Sequence, residues 1–281
     1  MCFRVKLLLG IVLFLRTISV FAMEDELEFA RASLSPFKIN HFAEHIAAPF
    51  ENDYNVGYGP KNNGQNILNF KPVVPFRMTS SYDLIIRTIA PLYERTPTNN
   101  AQNIIDGHYI NGWGDMNPTF FISPAGFQNL IWGVGPTVYI PTASNNVYIG
   151  SGKWSVGPEF AAIVMPGPWI FSILMNNVWS IAGDANRPAV NQFFFQYQIA
   201  YTFNKGWFIS TNPSITANWK SRGDQQWLVP FGIGGGKSIK WGGQPVTLSV
   251  HAYYNVIRPS GVGPNWQLQL EAEWLFPPLT I

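Results

Sequence analysis

The sequence predicts an all-β fold, a transmembrane antiparallel β-barrel of about 12 strands around a polar lumen. Three observations carry that expectation. Charged residues make up 12% of the 281 positions, against about 25% in soluble domains. Aromatic residues reach 15%, yet mean hydropathy is only +0.03, far below that of a helical membrane protein. Long stretches alternate apolar and uncharged polar residues, as lipid-facing and lumen-facing positions do along a barrel strand.

The first 22 residues read as a signal peptide, with Arg4 and Lys6 ahead of an apolar run from Leu7 to Leu15 and Val20-Phe21-Ala22 at a cleavage site. That run is too short for the ~20 residues of a membrane helix, so export is expected. Removing Arg4, Lys6 and Arg16 turns 18 Lys+Arg against 16 Asp+Glu into 15 against 16, a net charge of −1. No Lys/Arg cluster remains to grip phosphates, which excludes nucleic acid as a partner. The single cysteine, Cys2, leaves with the peptide, and no disulfide framework is available.

Residues 23–49 show no alternation. Glu24-Asp25-Glu26 followed by Leu27, Phe29 and Ala30 fits the start of a short helix. The expectation is a periplasmic segment, either a tail or a plug folded into the lumen. His41-Phe42-Ala43-Glu44-His45 matches the H-x-x-E-H pattern of inverted zinc proteases. Nothing before the first strand supplies a third ligand or a cleft, so two surface histidines are expected rather than a metal site, and no cofactor.

The barrel is expected over 50–277, with a tail at 278–281. Strands are placed at 50–58, 65–76, 80–91, 113–123, 128–140, 152–164, 168–181, 191–203, 206–219, 225–237, 244–256 and 265–276. Alternation is clearest in the later ones. Phe193, Phe195, Tyr197, Ile199, Tyr201 and Phe203 oppose Phe194, Gln196, Gln198, Ala200 and Thr202. Val246, Leu248, Val250, Ala252, Tyr254 and Val256 oppose Thr247, Ser249, His251, Tyr253 and Asn255. Trp266, Leu268, Leu270, Ala272, Trp274 and Phe276 oppose Gln267, Gln269, Glu271 and Glu273. Trp207 and Trp219 lie twelve residues apart on one face, or ~40 Å at ~3.3 Å per residue. Tilted by about 45°, that span projects to ~28 Å, near the ~25 Å apolar band between two aromatic girdles.

Short turns at Arg77-Met78-Thr79, Pro124-Ala125-Gly126, Pro166-Gly167-Pro168, Asn204-Lys205-Gly206 and Trp241-Gly242-Gly243 alternate with longer connections, the longest from Tyr93 to Gly112. An even strand count with short periplasmic turns and long outer loops is the outer-membrane pattern. The uncharged stretch 160–182 competes as a membrane helix, but Pro166-Gly167-Pro168 in its middle favours a turn between strands.

By register, the inward-facing set is Lys71, Asp83, Arg87, Asp115, Glu159, Gln196, Gln198, His251, Gln267, Gln269, Glu271 and Glu273. These charges either cross-brace the lumen as ion pairs or select solutes along a permeation path. The run Phe231-Gly232-Ile233-Gly234-Gly235-Gly236-Lys237-Ser238 ends like a P-loop, but Phe231 stands at the first glycine and no helix follows. Glycines bending a strand explain it better. Ser249 and His251 share a face but have no assignable acid partner, so lumen lining is favoured over a hydrolase and no catalytic residue is expected.

Several blocks resemble a family of bacterial outer-membrane proteins. They are Gly114-Asp115-Met116-Asn117-Pro118, Phe121-Ile122-Ser123-Pro124, Trp132-Gly133-Val134-Gly135-Pro136, Gly150-Ser151-Gly152-Lys153-Trp154 and Gly157-Pro158. The likeness continues through Pro166-Gly167-Pro168-Trp169, Trp179-Ser180-Ile181-Ala182-Gly183-Asp184, Arg187-Pro188, Gln244-Pro245-Val246 and Trp274-Leu275-Phe276-Pro277. The family is that of phenol meta-pathway degradation (MetA-pathway) proteins, whose members often carry the labels "transporter" or "neuromedin U". Spanning Phe50 to Pro277, the resemblance implies a porin-like barrel and passage of small, including aromatic, molecules, and it implies no catalytic residues. The tail Pro278-Leu279-Thr280-Ile281 departs from the usual aromatic chain end.

The expected function is thus an outer-membrane channel or passive transporter. Its expected partners are outer-membrane lipid, solutes in the lumen, and the barrel-assembly machinery through the C-terminal strand. A surface-interaction barrel with a closed lumen and an outer-membrane lipid hydrolase are the alternatives.

Overall fold

The structure, a computed structural model, describes residues 45–59, 61–98, 108–125, 130–260 and 263–277. The expected signal peptide, most of the N-terminal segment, His41 to Glu44 of the zinc-like motif and the tail at 278–281 lie outside the described residues.

Twelve strands follow one another. They are β1 (Ile46–Tyr58), β2 (in two pieces, Asn63–Phe70 and Val73–Arg77), β3 (Tyr82–Pro97) and β4 (Tyr109–Gly112 and Asn117–Pro124). Next come β5 (Ile131–Tyr139), β6 (Lys153–Val164), β7 (Trp169–Gly183) and β8 (Asn191–Thr202). The last are β9 (Trp207–Thr211 and Ser214–Asn218), β10 (Trp227–Trp241), β11 (Gln244–Ile257) and β12 (Trp266–Phe276). Each pairs antiparallel with the next. β12 returns to β1 in a register running from Phe276 opposite Ile46 to Trp266 opposite Val56. The sheet is closed, which removes the free edges that an open sheet leaves exposed.

The breaks in β2 and β9 have a local cause. Pro72 and Pro213 carry no N–H for the ladder. At the first break Lys71 N–H donates to Pro49 O and Thr88 N–H to Pro72 O, at 2.9 and 3.0 Å. At the second, Thr211 Oγ1 donates to Gly232 O at 2.7 Å and stands in for a ladder bond. The gap in β4 differs: Gly114 N–H donates back to Pro91 O at 3.0 Å. The Trp113 indole meanwhile donates to Thr142 O at 2.8 Å in the loop after β5.

The strand that opens at Ile46 starts four residues ahead of the expected 50, and β3 runs on to Pro97 rather than 91. The competing helix at 160–182 is a hairpin. β6 ends at Val164, Trp169 N–H donates to Pro166 O, and Gly167 takes φ +58° in the turn. β10 and β11 join through Gly242-Gly243, both at positive φ (+59° and +82°), with Trp241 paired to Gln244. A two-residue loop matched to strand twist needs φ > 0 at both central positions, which only glycine adopts freely.

The outward face is apolar. Phe231, Ile233, Val250 and Leu270 are exposed. Trp154, Trp179, Trp219 and Trp266 ring the long-loop end, and Trp169, Trp207 and Trp241 ring the short-turn end. The buried apolar residues lie inside, gathered toward the short-turn end. Ala47, Val73, Phe121, Ile163, Ile170, Phe208 and Leu275 sit there close to the strand termini. The sequence points to a polar lumen, mostly of amides and hydroxyls. The structure shows a polar interior over an apolar belt.

Candidate permeation lumen

Above the belt the inward side chains are mostly polar and buried, Val178 being an exception, and the polar ones fall into three hydrogen-bonded walls. Each rests on the period-two geometry that places alternate residues of a strand on one face.

The first wall is built by β1, β2 and β12. Asp53 accepts from the amides of Asn69 (3.2 Å), Gln267 (3.2 Å) and Gln269 (3.1 Å), so three strands converge on one carboxylate. One step toward the short-turn end, Lys71 makes an ion pair with Glu51. Glu271 and Glu273 stand beside them on β12, with Glu51 opposite Glu271 across the ladder.

The second wall spans β3 to β7. Glu159 Oε2 accepts from Thr119 Oγ1 at 2.9 Å and from Asn176 Nδ2 at 3.1 Å. Its Oε1 lies 3.8 Å from Arg87 Nη1. Asn117 Nδ2 donates to Thr137 Oγ1, and the Thr137 hydroxyl donates in turn to Thr119 Oγ1, both at 2.8 Å, which ties β4 to β5 where few ladder pairs join them. A carboxylate so far from bulk water requires such compensation, since an unpaired buried ion costs several kcal/mol.

The third wall comes from β7 to β11. Gln196 Nε2 donates to Asn212 O at 3.0 Å, Ser172 donates to Gln198 Oε1 at 3.4 Å, and Ser210 Oγ meets His251 Nε2 at 2.8 Å. Here the glycine run of β10 finds its reason. A Cβ on Gly236 would stand 2.6 Å from Phe208 Cζ, and one on Gly234 would stand 2.4 Å from His251 Cδ2. The glycines leave room for two rings at the inner surface.

Between the walls lies a cavity that is open on one side. Charged or polar Glu51, Lys71, Arg87, Gln196, Gln198, Ser249, His251, Glu271 and Glu273 share its lining with Phe208, Val73 and Ala47 at the belt. Of the twelve residues singled out from the sequence, seven therefore meet at one chamber: Lys71, Arg87, Gln196, Gln198, His251, Glu271 and Glu273. Gln267 and Gln269 brace Asp53, and Glu159 sits within the second wall. Asp83 lies at the short-turn rim, where Arg77 Nε reaches its Oδ1 at 2.8 Å. Asp115 lies apart. It accepts from Ala143 N–H (3.0 Å), Ser151 N–H (2.7 Å) and Ser151 Oγ (2.8 Å), and so pins the loop between β5 and β6 at the long-loop end.

Glu51, Asp53 and Glu94 were missed. The signal for the first two was present, since they alternate with Phe50 and Tyr54 on β1. Glu94 lay beyond the expected end of β3; it accepts from Gln65 Nε2 at 3.2 Å and from Thr96. Ser249 and His251 do not pair with each other. His251 pairs with Ser210, and its Nδ1, where a triad would place an acid, has no hydrogen-bond partner among the described residues.

No family profile and no curated protein matches the chain. Among solved structures it is similar to the COG4313 outer membrane channel from Pseudomonas putida F1, at 15% identity and TM-score 0.63, over 83% of this chain and 95% of that one. A porin (8% identity, TM-score 0.37, 82% and 100% covered) and the outer membrane protein OmpT of Vibrio cholerae (8%, 0.39, 83% and 98%) align more loosely. The closed sheet, the aromatic rims and the first of these likenesses agree: the chain has the fold of a bacterial outer-membrane channel, with twelve antiparallel strands and a polar chamber on its axis.

Proposed function

We propose that the protein is an outer-membrane channel, a passive transporter for small solutes that carry an apolar or aromatic part. The observation that supports it most is a cavity inside the closed barrel, lined by inward charged and amide side chains above Phe208, Val73 and Ala47. Solutes entering from the long-loop end meet amide, hydroxyl and charged groups first and the belt of Phe208, Val73 and Ala47 next. An apolar constriction disfavours bare hydrated ions, because water leaves it readily, and it favours solutes with an apolar face. The sequence blocks that resemble the MetA-pathway family point to the same solute class. The C-terminal strand ending at Phe276 is the proposed contact for the assembly machinery.

The test is reconstitution. Protein inserted in planar bilayers is expected to give discrete conductance steps, and proteoliposomes are expected to swell in small aromatic solutes faster than in sugars of equal size. A bilayer that stays sealed at high protein loading contradicts the channel reading and leaves a surface-interaction barrel in its place.

A further inference from the structure

The short turns differ in charge. At the first, Arg77 pairs with Asp83, and the turns at 124–126 and 166–168 carry no charge. The last two bring lysines together. Lys205 stands in the turn between β8 and β9, and Lys240 lies beside Trp241 at the end of β10. Lys237 lies opposite Trp207 across the β9–β10 ladder. That position is on the outer wall, and the ammonium stands 5.0 Å from the centre of the Trp207 ring. Gly206 abuts the Ser238 carbonyl so closely that a Cβ would stand 2.4 Å from its oxygen. The turn that carries Lys205 therefore runs against the segment that carries Lys237 and Lys240. From Ala185 to Leu270 the sequence holds one acid, Asp224, and it lies in the loop between β9 and β10 at the opposite end. β8 to β11 thus supply this corner with three ammonium groups and no carboxylate.

We propose that this corner is a binding site for an anionic phospholipid, held by its phosphodiester on Lys205, Lys237 and Lys240 and by its glycerol end against the indoles of Trp207 and Trp241. The inference needs the barrel in its membrane and is independent of what crosses the lumen. Short turns face the periplasm in outer-membrane barrels, so the lipid belongs to the inner leaflet. A cation on the outer wall costs little only near the interface, where its stem lies along apolar surface and its head reaches the phosphate layer. Lys237 has that position, level with an aromatic rim residue. Each ammonium offers three donors to phosphate oxygens. Trp207 and Trp241 are exposed on the wall, and indoles settle where an apolar surface meets a wet one. The net charge of the lipid decides the preference. A zwitterionic headgroup brings its own cation into a corner that already holds three, whereas phosphatidylglycerol brings only the anion.

The experiment titrates phosphatidylglycerol or phosphatidylcholine into micelles of the purified, folded protein and resolves the bound lipids by native mass spectrometry. The first phosphatidylglycerol is expected to bind about tenfold or more tightly than phosphatidylcholine. K237Q is expected to reduce that preference about fivefold, the worth of one cation near a charged lipid surface. K205Q/K237Q/K240Q is expected to abolish it, while K220Q/R222Q at the long-loop end leaves it intact; K237Q serves alone if the triple variant does not fold. Equal binding of the two lipids, or a preference that K237Q does not move, overturns the site and leaves the channel reading untouched. Displacement of the lipid by glycerol phosphate at equal concentration assigns the corner to a soluble anion and overturns it as well.

Discussion

Glu159 is 1% exposed and holds β4, β6 and β7 together through Thr119, its own strand and Asn176, with Arg87 of β3 at 3.8 Å. Removing one partner of a buried pair costs more than removing both, because the remaining charge stays uncompensated. R87M is expected to lower stability by about 3–5 kcal/mol, and R87M/E159Q to recover most of the loss. Urea unfolding from lipid vesicles measures both, and equal losses in the single and double variants contradict the pairing. Most of these residues were legible in the sequence, because inward positions on a strand differ from outward ones by a simple parity. Asp115 was legible as inward by parity yet serves a loop, because the gap in β4 at Trp113–Asp115 turns its carboxylate toward Ser151. That gap depends on Ser144 and Thr142, about thirty residues away, and no local pattern reports it.

At the scale of the strand, length and turn chemistry decided what could be read. β7, β8, β11 and β12 alternate without interruption, and their expected limits fall within two residues of the observed ones. β3 is longer than expected because its last turn of chain pairs with Tyr109–Gly112, and Arg95 stacks on the Tyr109 ring at 3.9 Å. Both contacts join the two sides of the loop between Pro97 and Tyr109 and leave no mark within β3 itself. Two substitutions test the orientation of β10. Ile233 is 63% exposed, midway between Trp227 and Trp241. I233R is expected to cost about 2–4 kcal/mol, as a cation at the bilayer midplane does, whereas an arginine on a water-facing strand costs little. In the turn, Gly243 at φ +82° is expected to tolerate valine poorly, with a loss of about 1–2 kcal/mol from left-handed backbone alone. Denaturant midpoints in the same vesicles read both.

For the whole molecule, closure of the sheet followed from composition and strand count, but the division of the lumen into chamber and belt did not. The outward positions are mostly apolar, and the exceptions pair along the outer surface, as Asn52 with Asn66, Asn177 with Trp219, and Lys237 over the Trp207 ring. Inward positions vary with depth, and depth depends on strand tilt and stagger, which a single strand's sequence does not carry. Phe208 shows the difficulty. It lies between outward Trp207 and Ile209, so parity turns it inward, but only the β9–β10 register, with Gly236 opposite, places its ring in the belt. F208A is expected to raise single-channel conductance by opening the belt, and unchanged conductance places the constriction elsewhere.

All of this depends on the large outward side chains facing hydrocarbon. The most direct test compares the purified protein, after removal of the expected signal peptide, in plain buffer and in phospholipid vesicles, by size-exclusion chromatography and far-ultraviolet circular dichroism. The barrel described here is expected to fold and remain monodisperse only in vesicles or detergent, and to aggregate in buffer. A folded, monodisperse protein in buffer without any amphiphile contradicts it.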